Sequence, residues 1–156
     1  MLVLNFKLKN RGRALWIALI AAIIAAVVFV VVKNSSGKRA DTATCDEIGE
    51  YSLSAETDAE RLDILRSFGI ENAELAESDE VTIPEDFNSV TENYNELQKQ
   101  IGLDLTPYKG QKAERLTYSL NGGSASYAVL LINNGKLIGG HLTNRVYGED
   151  VMPLSG

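Results

Sequence analysis

The sequence predicts an α+β domain behind one N-terminal transmembrane helix, with two further helices packed on an antiparallel sheet of three to five strands. Three observations lead there. Residues 14–32 are nineteen consecutive apolar, uncharged side chains. Two later stretches carry helix caps and apolar spacing near 3.6. The C-terminal third alternates with period two and is broken by Asn- and Gly-rich turns.

The apolar segment reads ALWIALIAAIIAAVVFVVV. At about 1.5 Å per residue it reaches roughly 28 Å, the hydrocarbon thickness of a bilayer. A helix buried in a soluble core would keep a polar face, and this one has none. The lipid bilayer is therefore its expected partner. Trp16 stands where an interfacial anchor is expected, and Ala18, Ala22 and Ala25 share a face that admits close helix–helix approach. The run ends in Lys33-Asn34-Ser35-Ser36, a poor signal-cleavage site, and Cys45 lies too far beyond it for a lipoprotein.

Charge gives the orientation. Residues 1–40 hold seven bases and no acid, whereas residues 41–156 hold all 21 acids against eight bases, a net −13. Four of the bases precede the span, so residues 1–13 are expected in the cytoplasm. Residues 33–44 read as a flexible linker, and residues 45–156 as an acidic domain outside the cell membrane.

Tyr51, Leu53 and Ala55 alternate with serines, predicting a short strand. Thr57 and Glu60 predict a capping box for a helix over 58–68, which Gly69 stops. Ala73–Ala76 and Val81–Ile83 read as two strand fragments. A second helix is expected to open at Pro84 and to bury Phe87, Val90, Tyr94, Leu97 and Ile101 before Gly102 ends it. Leu116, Tyr118 and Leu120 alternate in the next strand. Tyr127–Ile132 is nearly continuous apolar, as a central strand would be, and Asn133-Asn134-Gly135 predicts a hairpin. Leu137–Thr143 returns, with Gly139-Gly140 marking a bulge or a close backbone approach. Arg145–Val151 is expected to add one more strand.

The acidic outer half disfavours nucleic acid, since phosphate contacts need a basic footprint. One Cys cannot close an intrachain disulfide, and one His leaves a Ser or Cys triad without spare parts. Glu77, Asp79 and Glu80 lie close together but do not match a calcium loop. No cofactor or metal is expected. Residues 41–96 hold 17 acids and two bases, residues 97–156 four acids and six bases. Either opposite charges meet where layers touch, or a mildly basic sheet receives an anionic or peptide ligand. The ligand-facing candidates are Tyr118, Tyr127, Gly139, Gly140 and His141.

Thr57-x-x-Glu60-Arg61, Phe68-Gly69, Val81-Thr82-Ile83-Pro84, Tyr94-Asn95-x-Leu97-Gln98, Asp104-Leu105-x-Pro107-Tyr108-x-Gly110 and Ile138-Gly139-Gly140 occur in that order. As a set they resemble the family called domain of unknown function 4830, over about residues 50–150. Ile70 and His141 stand where that resemblance leads one to expect Trp and Asp. The resemblance implies a single-pass membrane protein of clostridia-like Gram-positive bacteria with an outer domain, and it implies no activity.

The expected function is a membrane-tethered, non-enzymatic extracytoplasmic binding module with a protein or peptide partner. The alternatives are a carboxylate-based envelope hydrolase and a structural subunit of a membrane complex. Protease added to intact cells is expected to digest residues 45–156 and spare the N-terminal tail. Digestion of the tail alone would refute the orientation.

Overall fold

The computed structural model describes residues 41–122, 124–146 and 151–156. The tail 1–13, the apolar segment 14–32 with Trp16, Ala18, Ala22 and Ala25, and linker residues 33–40 lie outside the described residues. Among the described residues no helix is long and apolar enough to cross a membrane.

The domain starts earlier than its composition suggests. Thr42–Cys45, strand β1, pairs antiparallel with Gly49–Ser52, strand β2. Residues 42–44, expected in the flexible linker, are therefore part of a sheet. Exposed Thr42 and Thr44 alternate with buried Ala43 and Cys45, so the apolar half of the pattern consists of two small side chains. Cys45 is only 2 % exposed, which removes it from the tether and from contact with outside thiols.

Helix α1 spans Asp58–Ser67. Its capping box is formed: Glu60 N donates to Thr57 Oγ1 at 3.3 Å, and Thr57 N donates to Glu60 Oε2 at 2.8 Å. Gly69 then takes φ +77°, which no side chain adopts cheaply. Ile64, Leu65 and Phe68 are buried; each such side chain contributes about 1.5–3 kcal/mol.

The two expected fragments after α1 are one ten-residue strand, β3, Ala73–Thr82, with a bulge between Leu75 and Glu77. Its middle, Glu77-Ser78-Asp79-Glu80, has low strand propensity, and pairing overrides it. Asp79 lies opposite Arg115, and Glu80 accepts from Lys112 Nζ at 2.6 Å.

Helix α2, Ser89–Gln100, does not open at Pro84. Asn88 is its cap, accepting from Thr91 N at 3.0 Å. The expected apolar face is also rotated. Val90 is 74 % exposed, while polar Asn95 and Gln98 are buried beside half-buried Tyr94 and Leu97. These two amides have hydrogen-bond partners inside the domain, and those partners, not apolar spacing, set the rotation. A 3₁₀ turn, Thr106–Tyr108, leads to β4, Lys112–Leu120, β5, Tyr127–Asn133, and β6, Lys136–Thr143.

The main sheet is antiparallel throughout, in the order β3-β4-β5-β6, so the expected central position of β5 is observed. Asn134 and Gly135 take φ +50° and +74°, the positive pair that a type I′ hairpin turn needs. The strand expected over 145–151 is not formed by its described residues; Met152 instead makes an isolated bridge to Leu142.

Opposite partners in an antiparallel pair share a face. Leu116, Leu130 and Ile132 thus point one way, into a core with Tyr51, Leu53 and the apolar side of α1. Ala113 and Leu131 point the other way and join Ile83, Leu105, Phe87 and Tyr94. The two helices cover opposite faces of one sheet.

Gly69 and Gly102 both have positive φ, +77° and +76°. A Cβ on Gly69 would meet open space, whereas on Gly102 it would overlap the Thr44 carbonyl of β1. Gly69→Ala is expected to cost about 1 kcal/mol in urea unfolding. Gly102→Ala should cost clearly more, because β1 must also move. Equal losses would show that β1 is not seated on the end of α2.

Candidate functional site

The sheet separates the five ligand-facing candidates. Glu77, Thr117, Val129 and His141 form one row across the strands, and Asp79, Arg115, Leu131 and Gly139 form the next. Tyr127 lies opposite Ser119 and Thr143 on this same face, the one α2 partly covers. Tyr118 and Gly140 belong to the other face. Tyr118 is 2 % exposed in the core on the α1 side, so it cannot face a ligand.

The two glycines serve packing. A Cβ on Gly140 would collide with the Leu154 side chain. One on Gly139 would crowd Gln98 Oε1 at 3.2 Å and Leu105 and Leu131 at 3.3 Å. The expected irregularity is present, since the β5–β6 register shifts between Leu131 and Ile132 beside the glycines, whereas the close approach is made mainly by side chains, those of Gln98, Leu105, Leu131 and Leu154.

His141 is held by α2. Its Nδ1 lies 2.8 Å from the Tyr94 hydroxyl, and the two rings meet edge to face at 5.4 Å. Burial, with the nearby Arg115 cation as a smaller cause, lowers its pKa from 6.5 to about 4. The ring is neutral at physiological pH and acts as a hydrogen-bond partner for Tyr94.

Arg145 takes φ +58°, unusual for a side chain of this size, and lays its guanidinium over this face. It donates to both Glu77 oxygens, at 2.8 and 2.6 Å, and stands 4.6 Å above the centre of the Tyr127 ring. Tyr127 is thereby partly roofed. Arg115 grips Asp79 from the adjacent row. These cations hold the Glu77 and Asp79 carboxyls below their ordinary pKa.

The same pattern answers the charge question. Lys99 binds Glu96, Lys112 binds Glu80, Lys136 binds Asp41, and Lys109 lies over the Phe87 ring. All six bases of the second half are thus engaged. Opposite charges do meet, but within the sheet and not where layers touch: the acidic strand β3 lies along β4, which carries Lys112 and Arg115. Glu77 and Asp79 share one face of β3 and Glu80 takes the other, so the three carboxylates diverge. Among the described residues no group of three His, Cys, Asp or Glu side chains is placed to hold a metal.

Two polar locks escaped the sequence reading. Asn95 Oδ1 accepts from Leu105 N at 2.7 Å while its amide donates to Asp104 at 2.9 Å. Asp104 also accepts from Thr106 N, and its hydrogen bonds from Thr106 and Asn95 lower its pKa to about 2. Gln98, fully buried, accepts from Gly140 N at 2.7 Å. Their only sequence signal is their place in the ordered motifs, Tyr94-Asn95-x-Leu97-Gln98 and Asp104-Leu105.

The two edges of the sheet differ. On β6, Leu137 N donates to Leu53 O, Gly140 N to Gln98, and Leu142 N to Met152 O. On β3, β4 is the only strand partner among the described residues, and most of the strand is exposed. Elsewhere on the surface, Val90, Thr91, Tyr94, Leu97 and Val151 border an open apolar groove of about 690 Å³ on the flank of α2.

The His141 environment predicts a pH effect. Above pH 6.5 the ring is neutral in both folded and unfolded chains and adds no slope. As pH falls from 6.5 to about 4 the unfolded chain takes up a proton that the folded one refuses. Stability should then drop by at most about 1.4 kcal/mol per pH unit from this residue, and no further below pH 4. His141→Gln should flatten that window in urea unfolding, since carboxylates titrate alike in both proteins. Identical slopes would refute the buried neutral ring.

No curated protein and no solved structure matches the chain. A family model described as Domain of unknown function (DUF4830) matches residues 64–142, from the middle of α1 to the end of β6. That interval holds the Asn95–Asp104 lock, the Gln98–Gly140 bond and all four strands of the main sheet. The chain belongs to the DUF4830 family.

Proposed function

We propose that the chain is a membrane-tethered extracytoplasmic binding module without catalytic chemistry of its own. The one observation that carries the reading is the contrast between the sheet's two edges. β6 is closed by Leu53, Gln98 and Met152, while eight of the ten residues of β3 stand exposed and, among the described residues, no strand pairs with the backbone groups of its outer side. The reactive side chains support it by their employment elsewhere. His141 is bonded to Tyr94, and Cys45 is sealed in the core. The tether is the apolar segment 14–32, with the bilayer as its partner, and the polar linker behind it. The charge division across that segment supports an N-terminus in the cytoplasm and the acidic domain outside.

A structural subunit of a membrane complex is the second reading, favoured by the face Ala18, Ala22 and Ala25. Crosslinking the full chain in its own membrane separates the two. The binding-module reading expects a partner crosslinked to the outer domain, retained in Ala22→Leu. Loss of every crosslink in Ala22→Leu would favour the subunit. Turnover of an envelope polymer by the purified chain, lost on single carboxylate substitution, would overturn both in favour of a hydrolase.

A further inference from the structure

The outer edge of β3 has a character that selects its occupant. Exposed edges are a hazard, and proteins commonly blunt them with short strands, proline, bulges or charge. β3 is long, ten residues, and holds no proline. Its bulge lies near one end, between Leu75 and Glu77, leaving Glu77–Thr82 in unbroken register with β4. Those residues run about 20 Å, at roughly 3.4 Å each.

The charges along it are one-sided. Glu74, Glu77, Asp79 and Glu80 are all acidic, and no Lys or Arg occurs between residues 67 and 98. A second copy of β3 laid on this edge would set carboxylate against carboxylate, which destabilises a cross-strand pair. An extended strand bearing lysine or arginine would meet those carboxylates on both faces: Glu77 and Asp79 on one, Glu80 on the other. The net −13 of residues 41–156 would steer such a strand inward from a distance.

We infer that β3 over Glu77–Thr82 receives an extended, Lys- or Arg-bearing peptide segment of a partner protein as a fifth strand of the sheet. This rests on the binding-module reading and narrows it to one edge and one ligand chemistry. Arg145, Arg115 and Lys112 already hold Glu77, Asp79 and Glu80 from the inner side, so the carboxylates are ordered before a partner arrives. Backbone pairing would supply affinity, and the alternating acids would supply the preference for bases.

The test uses the full chain in nanodiscs and an eight-residue peptide alternating Lys with Thr or Val. Amide hydrogen exchange is followed along β3. Binding is expected to slow exchange within Glu77–Thr82 at least tenfold and leave β6 unchanged. The same peptide N-methylated at every residue should bind at least tenfold more weakly, because the donors of both its edges are gone while its charge remains. In Glu77→Lys/Asp79→Lys the preference should pass to a Glu-bearing peptide. Equal binding of the N-methylated peptide, protection elsewhere only, or self-association through β3 would overturn the inference. A native partner crosslinked to another surface, with β3 unprotected, would sink this inference and leave the binding-module reading standing. Polymer turnover would sink that reading itself.

Discussion

The fold depends on how β6 is finished. An edge strand left with bare donors would expose the C-terminal margin of the sheet; Leu53 and Met152 close its two ends, and one buried amide closes its middle. Gln98 reaches from α2 to the backbone of Gly140, and the absence of side chains at Gly139 and Gly140 is what lets it and Leu154 come so close. Once Gln98 is placed, the rotation of α2 about its axis is set. Tyr94, one turn back, then meets His141, and Asn95 meets the 104–106 loop. Helix, loop and edge strand are thus positioned by a few directional bonds where an apolar stripe alone would have allowed several orientations.

Those bonds also explain what was legible in the amino-acid sequence and what was not. Local signals were read well because their physics is local. Thr57 and Glu60 cap α1, Gly69 ends it, and Asn134-Gly135 turns the last hairpin. Signals that depend on tertiary partners were misread. Val90 fits the spacing of a buried stripe, yet the helix turns it outward so that Gln98 can face β6. Pro84 is a plausible first residue of a helix, but Asn88 offers a side-chain acceptor for the unpaired N–H groups and Pro84 does not. Glu77–Glu80 fell between the two expected strand fragments because strand propensity measures fit to a half-buried surface, and these residues lie on an exposed edge where Arg115 and Lys112 hold Asp79 and Glu80.

The candidate site was legible only as a region. Alternation showed that His141 and Tyr127 lie in neighbouring strands, but not which candidates share a face, because that requires the register. The register puts Tyr118 with the α1 core and His141 against α2. It also shows why opposite charges are separated along the chain: β3 and β4 are acidic and basic so that they attract when laid side by side. A long connection containing α2 joins them, and the charge match rewards the correct alignment.

Cys45 carries a last consequence. The chain has this one cysteine and buries it on the inner side of the β1–β2 hairpin. With no sibling thiol to pair with, the folding chain has no wrong disulfide to form with itself. Once folded, the sulfur is shut away from small oxidants and from the thiols of neighbouring proteins. The folded domain thus gains nothing from an intrachain disulfide and has none for a reductant to break.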